Sequence, residues 1–441
     1  MIHCARTWFL CLLVVVMGQT AGQESRPASG PTTQSALADV ARIIVRSVNE
    51  SPAEDLKLLL SPELLKEASW NQIRAILISF GKRCGKGVDL AWFGGKHGLR
   101  SGAFWIITEK GFEFRCDLSL TPSGDAINGL LFQEPQRRTE QLRDVLNDFK
   151  KLPGRTALCV ARLGEKLELL ESHEPDLVLP TGSTFKLWIL GALAQAVDEG
   201  VARWDESMAL RADAMSAPSG RLQTWPVGTP VTLQALAASM ISESDNTATD
   251  HLLLRLGRER VESFMASTGH SSPARNVPML RTRDMFALKF STDPDRASRF
   301  LRADIAGRRA QLEQLASISI DDLAVGSAPT LTQEIEWFAS PHDLIKTMDA
   351  LRKASQRPSG TPILPILGIN PGFKSDSSRF PILAYKGGSE PGVLNLTWMW
   401  RDDSGRWMAA SVSHNRDDGP CDETRGARLG TRVVEAARRL P

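Results

Sequence analysis

The sequence has little net charge, a single tyrosine and no apolar run long enough to cross a membrane. Its 53 basic and 51 acidic residues leave a net charge of +2, which argues against nucleic acid as the main partner. No spacing of histidine and cysteine suggests a metal site, no cofactor is implied, and no internal repeat or coiled-coil heptad occurs. With 441 residues, of which 42% are apolar, the chain is expected to fold as two or three globular domains.

The first 22 residues have the pattern of an export signal. Arg6 precedes an apolar run over residues 8–17, and small residues follow at 20–22. Because the run is too short to span a bilayer, we expect cleavage near Gly22 and a product in the periplasm or outside the cell, with an uncleaved anchor as the alternative. Residues 23–35, rich in Ser, Pro, Gly and Thr, are expected to form a flexible linker.

Four cysteines remain after removal of such a signal, namely Cys84, Cys116, Cys159 and Cys421. Four thiols can pair in three ways, and the sequence does not choose among them. Cys84 and Cys116 fall in one predicted domain, and export favours oxidation. A Cys84–Cys116 disulfide is therefore one hypothesis, and four buried free thiols are the other.

Residues 36–135 predict a small α+β domain. Helical periodicity over residues 37–48 and 71–80 is followed by alternating, strand-like segments over residues 103–108 and 112–118. The pattern therefore places the helices first and the strands after them.

Residues 136–441 predict a second α+β domain whose sheet is assembled from both ends of the segment. A helix is expected over residues 138–151, and a long, mainly helical stretch over residues 181–351. Strands are expected over residues 156–160, 167–170, 382–385, 393–400 and 407–414, and a last helix over 423–440. This order describes one antiparallel five-stranded sheet with flanking helices and a cleft between sheet and helices.

Ser183 and Lys186 lie one helical turn apart at the start of an apolar helix. A hydroxyl is a weak nucleophile that needs a base within hydrogen-bond reach, so this spacing can form an activating pair. Lys186 must be neutral to act as that base, which requires burial or a neighbouring cation, and Lys386 could be that cation. Ser-x-x-Lys also occurs by chance in many helices, so the pair needs support from other motifs.

Two further motifs follow in the chain. Ser244-Asp245-Asn246 interrupts an apolar helical pattern and is expected on a turn between helices, where such residues also serve as ordinary N-caps. As functional groups, Ser244 would pass a proton to a leaving nitrogen, and Asn246 would hold a substrate amide and Lys186. The segment Lys386-Gly387-Gly388-Ser389 ends a predicted strand, where its glycines would let a substrate backbone approach the sheet edge; the alternative is a plain β-turn.

Taken together, the three motifs and their surroundings resemble the class A β-lactamase and penicillin-binding serine hydrolase superfamily over about residues 138–441. The segments that carry the resemblance are Pro180–Leu187, Met240–Ala248 and Ala339–Leu344. It implies an acyl-enzyme on a β-lactam or a related cell-wall amide or ester. By the same resemblance, Ser183 is the nucleophile, Lys186 its proton acceptor, Lys386 the group that recognises a substrate carboxylate, and the backbone N–H groups of Ser183 and Ser389 the oxyanion hole.

The chain departs from the family pattern at two places. Gly387 stands where the third motif usually carries a hydroxyl, so carboxylate binding must differ or use Ser389. The loop of residues 276–284 contains no Glu-x-x-Leu-Asn, the family's source of the deacylating base. Asp284 is the nearest acid there, although it fits better as a cap for the next helix. The only tyrosine, Tyr385, is wrongly placed for the catalytic tyrosine of class C enzymes.

The departures and the extra front domain resemble a narrower group of two-domain serine hydrolases related to a protein of the clavulanic acid pathway. In that group the front domain is similar to a nuclear-transport-factor-2 or steroid-isomerase cone, for which a packing or positioning role is expected here. Two alternatives remain open: a D-alanyl-D-alanine peptidase, and a penicillin-binding sensor that is acylated without turnover. His251 and His414 are expected to be structural, and Trp398 and Trp400 to fill a core face.

Overall fold

The computed structural model describes residues 33–52, 54–92, 100–137, 141–315, 318, 326–373 and 379–440. The predicted signal peptide and residues 23–32 of the predicted linker lie outside the described residues. The chain divides into two compact units, Met1–Glu140 and Gln141–Pro441. Within the described part of the chain, no helix is long and apolar enough to cross a membrane.

The first unit places its helices before its strands. The helices are α1 (Thr33–Ser47), α2 (Glu54–Leu58), α3 (Pro62–Glu67) and α4 (Trp70–Cys84), and the strands are β1 (Gly87–Trp92), β2 (Ser101–Thr108), β3 (Phe112–Leu120), β4 (Ile127–Phe132) and β5 (Gln136–Arg137). The strands form an antiparallel sheet in the order β1-β2-β3-β4, with β5 paired to β3. The expected order of helices and strands is thus confirmed, and α1 begins at Thr33, inside the predicted linker.

Aromatic side chains pack in the interior of the first unit. The rings of Phe80 on α4 and Phe114 pack edge to face with their centroids 4.8 Å apart. The ring of Phe132 packs against both in the same way, with its centroid 6.2 Å from each. Edge contacts of this kind are favourable between aromatic rings. Cys84 and Cys116 are buried free thiols, as are Cys159 and Cys421. The hypothesis of a Cys84–Cys116 disulfide is therefore wrong, and the alternative of four buried free thiols is confirmed.

The second unit alternates helices and strands around one main sheet. Its helices are α5 (Leu142–Lys150), α6 (Lys186–Asp198), α7 (Leu233–Ser242), α8 (Asn246–Leu256), α9 (Arg258–Ser267), α10 (Thr282–Phe290), α11 (Arg296–Arg302), α12 (Ile305–Gln314), α13 (Pro341–Ala354), α14 (Ile363–Gly368) and α15 (Glu423–Ala437). Its strands are β6 (Arg155–Leu163), β7 (Leu167–His173), β8 (Leu179–Pro180), β9 (Ser207–Ala209), β10 (Pro230–Thr232), β11 (Phe338–Ala339), β12 (Ile382–Glu390), β13 (Val393–Arg401) and β14 (Trp407–Asn415).

The main sheet is antiparallel, has five strands and runs in the order β12-β13-β14-β6-β7, which confirms the sheet expected from both ends of the segment. Interior strand β13 is buried from Val393 to Trp400 because helices cover both faces of the sheet. Trp398 and Trp400 pack with residues of α5 and α15 on one face, as predicted, whereas Met399 packs with residues of α6 and α13 on the other.

Strand β12 differs from its predicted extent in a way that matters for the site. The sequence placed the third motif at a strand end after Tyr385, but β12 continues through the motif to Glu390, with unbroken pairing to β13. The alternative of a plain turn at this motif is therefore wrong. Residues 386–390 consequently alternate between the two faces of a regular strand.

Candidate active site

The segment that carries Ser183 is anchored to the loop before β11. The backbone N–H and the hydroxyl of Thr181 both donate to the carbonyl of Trp337, at 2.9 and 3.0 Å. Gly182 then takes a φ of +52°, which glycine adopts at little steric cost. A 3₁₀ turn over Gly182–Phe185 leads into α6, and within it Ser183 is partly exposed while its neighbours are buried.

The side chain of Lys186 is fully buried at the start of α6 and is surrounded by oxygen atoms. Its Nζ lies 2.6 Å from the carbonyl oxygen of Ser244, 3.1 Å from the hydroxyl of Ser244 and 2.8 Å from Oδ1 of Asn246. The amide nitrogen of Asn246 in turn donates to the Ala217 carbonyl at 3.1 Å. These contacts bring the first motif and the second motif together, as expected from the sequence.

Ser244 lies on the expected turn between α7 and α8, with a φ of +57°. A residue with a side chain rarely adopts this conformation, which costs on the order of 1–3 kcal/mol and is found mostly at functional sites. Asp245 holds the turn, because its carboxylate accepts the backbone N–H of Ala248 at 2.8 Å, Arg221 at 2.8 Å and Leu222 at 2.9 Å. Asp245 is thus the N-cap of α8, while Ser244 contacts both lysines and Asn246 contacts Lys186.

The hydroxyl of Ser244 lies between two lysines. Nζ of Lys386 is 3.1 Å from it, the same distance as Nζ of Lys186, and Lys386 also donates to the Gly387 carbonyl at 2.5 Å. A hydroxyl both donates and accepts. Ser244 can therefore pass a proton between the Lys186 amine and a group in the cleft beside it.

Both lysines have lowered pKa values. Burial, and then the charge of Lys386, lower the pKa of Lys186 well below its usual range, because neither an apolar environment nor a nearby cation favours an ammonium group. Burial lowers the pKa of Lys386 to about 7. The electrostatics thus supply the neutral form of Lys186 that a base requires.

Strand β12 approaches the backbone of the Ser183 turn closely. A β-carbon placed on Gly388 would lie 2.2 Å from the Thr181 carbonyl oxygen and 2.4 Å from the Ser183 nitrogen, and one placed on Gly182 would lie 3.0 Å from the Ser389 nitrogen. Only glycine fits at position 388 at this separation. The approach brings together the backbone N–H groups of Ser183 and Ser389, the two donors expected to form an oxyanion hole.

The hydroxyl of Tyr385 occupies the space next to Gly387. A β-carbon on Gly387 would lie 2.1 Å from this phenol oxygen, and both residues line the cleft. Burial raises the pKa of Tyr385, so the phenol stays protonated at neutral pH. A hydroxyl is therefore present where the third motif lacks one in sequence, and sequence analysis missed it.

These groups lie around one cleft with a volume of about 420 Å³. Six of the seven predicted site residues line it, and Lys186 lies buried behind it. The six are Ser183, Ser244, Asn246, Lys386, Gly388 and Ser389. Sulfur, carboxylate or imidazole groups in metal-binding arrangement do not occur among the described residues.

The loop of residues 276–284 contributes no carboxylate to the cleft. The Asn276 side chain exchanges hydrogen bonds with the backbone of Phe338, at 2.9 and 2.8 Å. Asp284 is fully buried and ion-paired with Arg281 and Arg258, at 2.9 and 2.8 Å, and it accepts the Arg281 N–H as the cap of α10. The predicted capping role of Asp284 is thus confirmed.

A buried carboxyl behind the site was missed by the sequence analysis. Asp250 accepts the backbone N–H and hydroxyl of Thr282, at 2.7 and 2.8 Å, and the Arg283 N–H at 3.0 Å. Burial, with the Asp284 charge, raises the pKa of Asp250 to about 6. Its position four residues after Asn246 on α8 was the available signal, since such residues share a helix face.

Both histidines singled out by the sequence have structural partners, as predicted. His414 is buried, and its Nε2 lies 2.7 Å from the Pro153 carbonyl oxygen. His251 is buried as well; its Nε2 accepts the Arg211 N–H at 2.8 Å, and its Nδ1 lies 2.7 Å from the Thr247 carbonyl oxygen. Neither side chain lines the cleft.

Comparison with known proteins gives one family and several solved structures. The model of the β-lactamase enzyme family matches residues 137–395, which is more than half of the chain. No curated protein matches. The β-lactamase of Sphaerobacter thermophilus DSM 20745 is 22% identical, with a TM-score of 0.48, over 67% of this chain and 94% of that one. A protein named PBP-A is 20% identical, with a TM-score of 0.45, over 67% and 93%. The β-lactamase of Chitinophaga pinensis DSM 2588 is 16% identical, with a TM-score of 0.45, over 67% and 96%.

Proposed function

The chain belongs to the β-lactamase enzyme family, and on that basis we propose that it is a serine hydrolase that works through an acyl-enzyme on Ser183. Its substrate is a β-lactam or a related small cell-wall amide or ester. The observation that carries the proposal is the Ser244 hydroxyl, held 3.1 Å from both Lys186 and Lys386 beside the cleft that Ser183 lines. This arrangement joins a neutral base, a proton relay and a cation in one site.

Acylation uses Lys186 as the base. As a neutral amine, Lys186 donates two hydrogen bonds, to the Ser244 carbonyl and to Asn246, and keeps one lone pair to accept a proton from Ser183. Ser183 Oγ then bonds to the substrate carbonyl carbon, whose oxygen is stabilised by the N–H groups of Ser183 and Ser389. The C–N or C–O bond breaks as Ser244 passes the proton from Lys186 to the leaving atom. Lys186 and Ser183 share no hydrogen bond in this structure, and such contacts often form only with substrate bound.

Recognition of the substrate uses the two sides of the cleft. Lys386 provides a cation for a substrate carboxylate, and Tyr385 provides a protonated hydroxyl next to Gly387, in place of the one that Gly387 lacks. Asn246 holds a substrate amide, and Ser389 offers a further hydroxyl at the strand edge. A cation with a neutral donor is a favourable partner for an anion.

Export through residues 1–22 and a positioning role for the front domain belong to the same proposal. Export is supported by the charged and apolar pattern of the N-terminus. A front domain similar to the nuclear-transport-factor-2 cone is supported by its order of helices and strands. The packed rings of Phe80, Phe114 and Phe132 favour a structural role for its interior over ligand binding.

One observation favours the peptidase and the sensor over a fast β-lactamase. The loop of residues 276–284 supplies no deacylating carboxylate, since its acid, Asp284, is bound by two arginines. A peptidase has less need of such a group, and a sensor that is acylated without turnover does not need one.

Steady-state rates on a chromogenic cephalosporin and on a D-alanyl-D-alanine peptide test the proposal, with Ser183→Ala as the control. The proposal expects Ser183-dependent hydrolysis of the cephalosporin. Faster release of D-alanine from the peptide would favour the peptidase. No Ser183-dependent reaction with either compound would contradict the proposed function.

A further inference from the structure

A second group of charges lies along the cleft, away from Lys386 on strand β12. Nζ of Lys289 on α10 is 2.5 Å from a carboxyl oxygen of Glu390 and 3.4 Å from one of Glu336. The exposed fractions of the side chains are 1% for Lys289, 0% for Glu336 and 11% for Glu390. Both glutamates are among the residues that line the cleft, and no step of the proposed acylation uses them.

The alternation of β12 places Glu390 on the face that meets Ser183. Side chains two residues apart share a face of a strand, so Lys386, Gly388 and Glu390 point to the same side. Gly388 is the point at which the strand contacts the Ser183 nitrogen. Lys386 and Glu390 therefore flank that contact, each about 7 Å along the strand from it. Lys386 thus lies on one side of the group that reacts with Ser183, and Glu390 lies on the other side.

Glu336 is fixed next to the same segment. One of its carboxyl oxygens accepts the Trp337 N–H at 2.9 Å, and the Trp337 carbonyl in turn accepts both donors of Thr181, two residues before Ser183. Glu390 is the less enclosed of the two carboxyl groups. Glu390 is therefore the one accessible to solvent from the cleft, and Lys289 holds it in place.

Glu390 retains a proton more strongly than an ordinary carboxyl group does. Burial, and then the charge of Glu336, raise the pKa of Glu390, while Lys289 opposes the rise. A neighbouring negative charge disfavours the ionised form of a carboxyl group, even with one ammonium beside it. A carboxylate of raised pKa is a stronger base.

We propose, on the basis of the acyl-enzyme proposed above, that Glu390 is the general base for release of the acyl group, with Glu336 and Lys289 as its positioning residues. The ionised Glu390 takes a proton from a water molecule, whose oxygen bonds to the acyl carbonyl carbon. The bond from that carbon to Ser183 Oγ breaks, and Oγ regains one proton, carried from the Glu390 carboxyl through cleft water. Glu390 would thus activate the water molecule in place of a glutamate in the loop of residues 276–284.

The test follows the acyl adduct by intact-protein mass spectrometry after a chromogenic cephalosporin is added and then removed. Wild type, Glu390→Gln and Glu336→Gln are compared with Glu334→Gln, which removes an exposed carboxyl from the same loop as Glu336. In Glu390→Gln, the adduct forms at the wild-type rate but is lost about 100-fold more slowly, the size of effect expected for a general base. Glu334→Gln matches wild type throughout.

The pH dependence separates a base from a merely structural carboxyl. Wild-type loss of the adduct becomes faster as pH rises, because Glu390 gives up its proton. Glu336→Gln moves this rise in rate to lower pH, because Glu390 loses the neighbouring negative charge that raises its pKa. In Glu390→Gln, the rate of adduct loss shows no such rise with pH.

Three results would overturn the assignment. Loss of the adduct from Glu390→Gln within about 3-fold of wild type would leave the carboxyl without the expected catalytic effect. A wild-type adduct that is never lost would show that release of the acyl group does not occur, while leaving acylation of Ser183 intact. Absence of any wild-type adduct would instead overturn the proposed function, so the two failures are distinct. If Glu390→Gln fails to fold, the pH dependence of adduct loss in Glu336→Gln decides the question. A rise in rate at the same pH as in wild type would contradict the assignment of Glu390 as the base.

Discussion

The phenol oxygen of Tyr385 stands where a side chain on Gly387 would begin, 2.1 Å from the position of a β-carbon there. Both residues lie on the same face of β12, because strand side chains alternate with a period of two. The chain thus has a hydroxyl beside Gly387, at the edge of the cleft, although the third motif lacks one. A glycine at position 387 and a tyrosine two residues earlier together place one hydroxyl at the cleft.

Tyr385→Phe is expected to weaken binding of substrates that carry a carboxylate. Loss of one hydrogen bond to a charged group costs about 1.5–3 kcal/mol, so KM should rise about 10-fold or more, with kcat little changed. The measurement is steady-state kinetics on a cephalosporin and on its carboxylate ester. The ester is the control, and an equal effect on both compounds would contradict carboxylate recognition by Tyr385.

Ser244→Ala is expected to slow acylation of Ser183 by about 100-fold or more, because the proton from Lys186 loses its path to the leaving atom. The rate of adduct formation measures this effect. Ser242→Ala is the matched control, since that hydroxyl only donates to the Ala238 carbonyl, at 2.7 Å. Acylation of Ser244→Ala at the rate of this control would exclude the relay.

Substrate capture should fall as pH rises above neutrality. The pKa of Lys386 is about 7 in the free protein, so its positive charge is complete well below that pH and is lost as pH rises through it. The kcat/KM for an anionic substrate should decline over the same range, since kcat/KM reports the free enzyme. Lys386→Arg should remove the decline because a guanidinium stays charged. A decline that persists in Lys386→Arg would assign it to another group.

Gly388→Ala is expected to disrupt the oxyanion hole. Its β-carbon would lie 2.4 Å from the Ser183 nitrogen, so strand and turn must separate, at a cost of about 1–3 kcal/mol in the free energy of unfolding. Chemical denaturation and the acylation rate measure the two effects. Gly164→Ala, whose β-carbon would have its nearest neighbour at 3.6 Å, is the control. Normal acylation by Gly388→Ala would show that the close approach is dispensable.

The parts of this structure that the sequence predicted are those with local signals. Period-two alternation and turn residues located the five strands of the main sheet, and the polar break between two apolar helices located the turn of Ser244. The strand through Lys386 was ended too early, because glycines are usually signs of a turn. Here they continue the strand and allow the approach to Ser183.

The parts that were missed depend on contacts between distant residues. Lys289 meets Glu336 and Glu390 across separations of 47 and 101 residues, and no periodicity links them. The proposed Cys84–Cys116 disulfide failed for a related reason, since membership of one domain does not bring two thiols to bonding distance. Tyr385 could have been found by extending the strand alternation two residues into the motif.

The acyl-enzyme on Ser183 is tested most directly by intact-protein mass spectrometry of residues 23–441 mixed with a chromogenic cephalosporin and followed from minutes to hours beside Ser183→Ala. The account predicts a covalent adduct on the wild-type protein, absent from Ser183→Ala, that disappears as product accumulates. No adduct on wild type, or an equal adduct on Ser183→Ala, would contradict it.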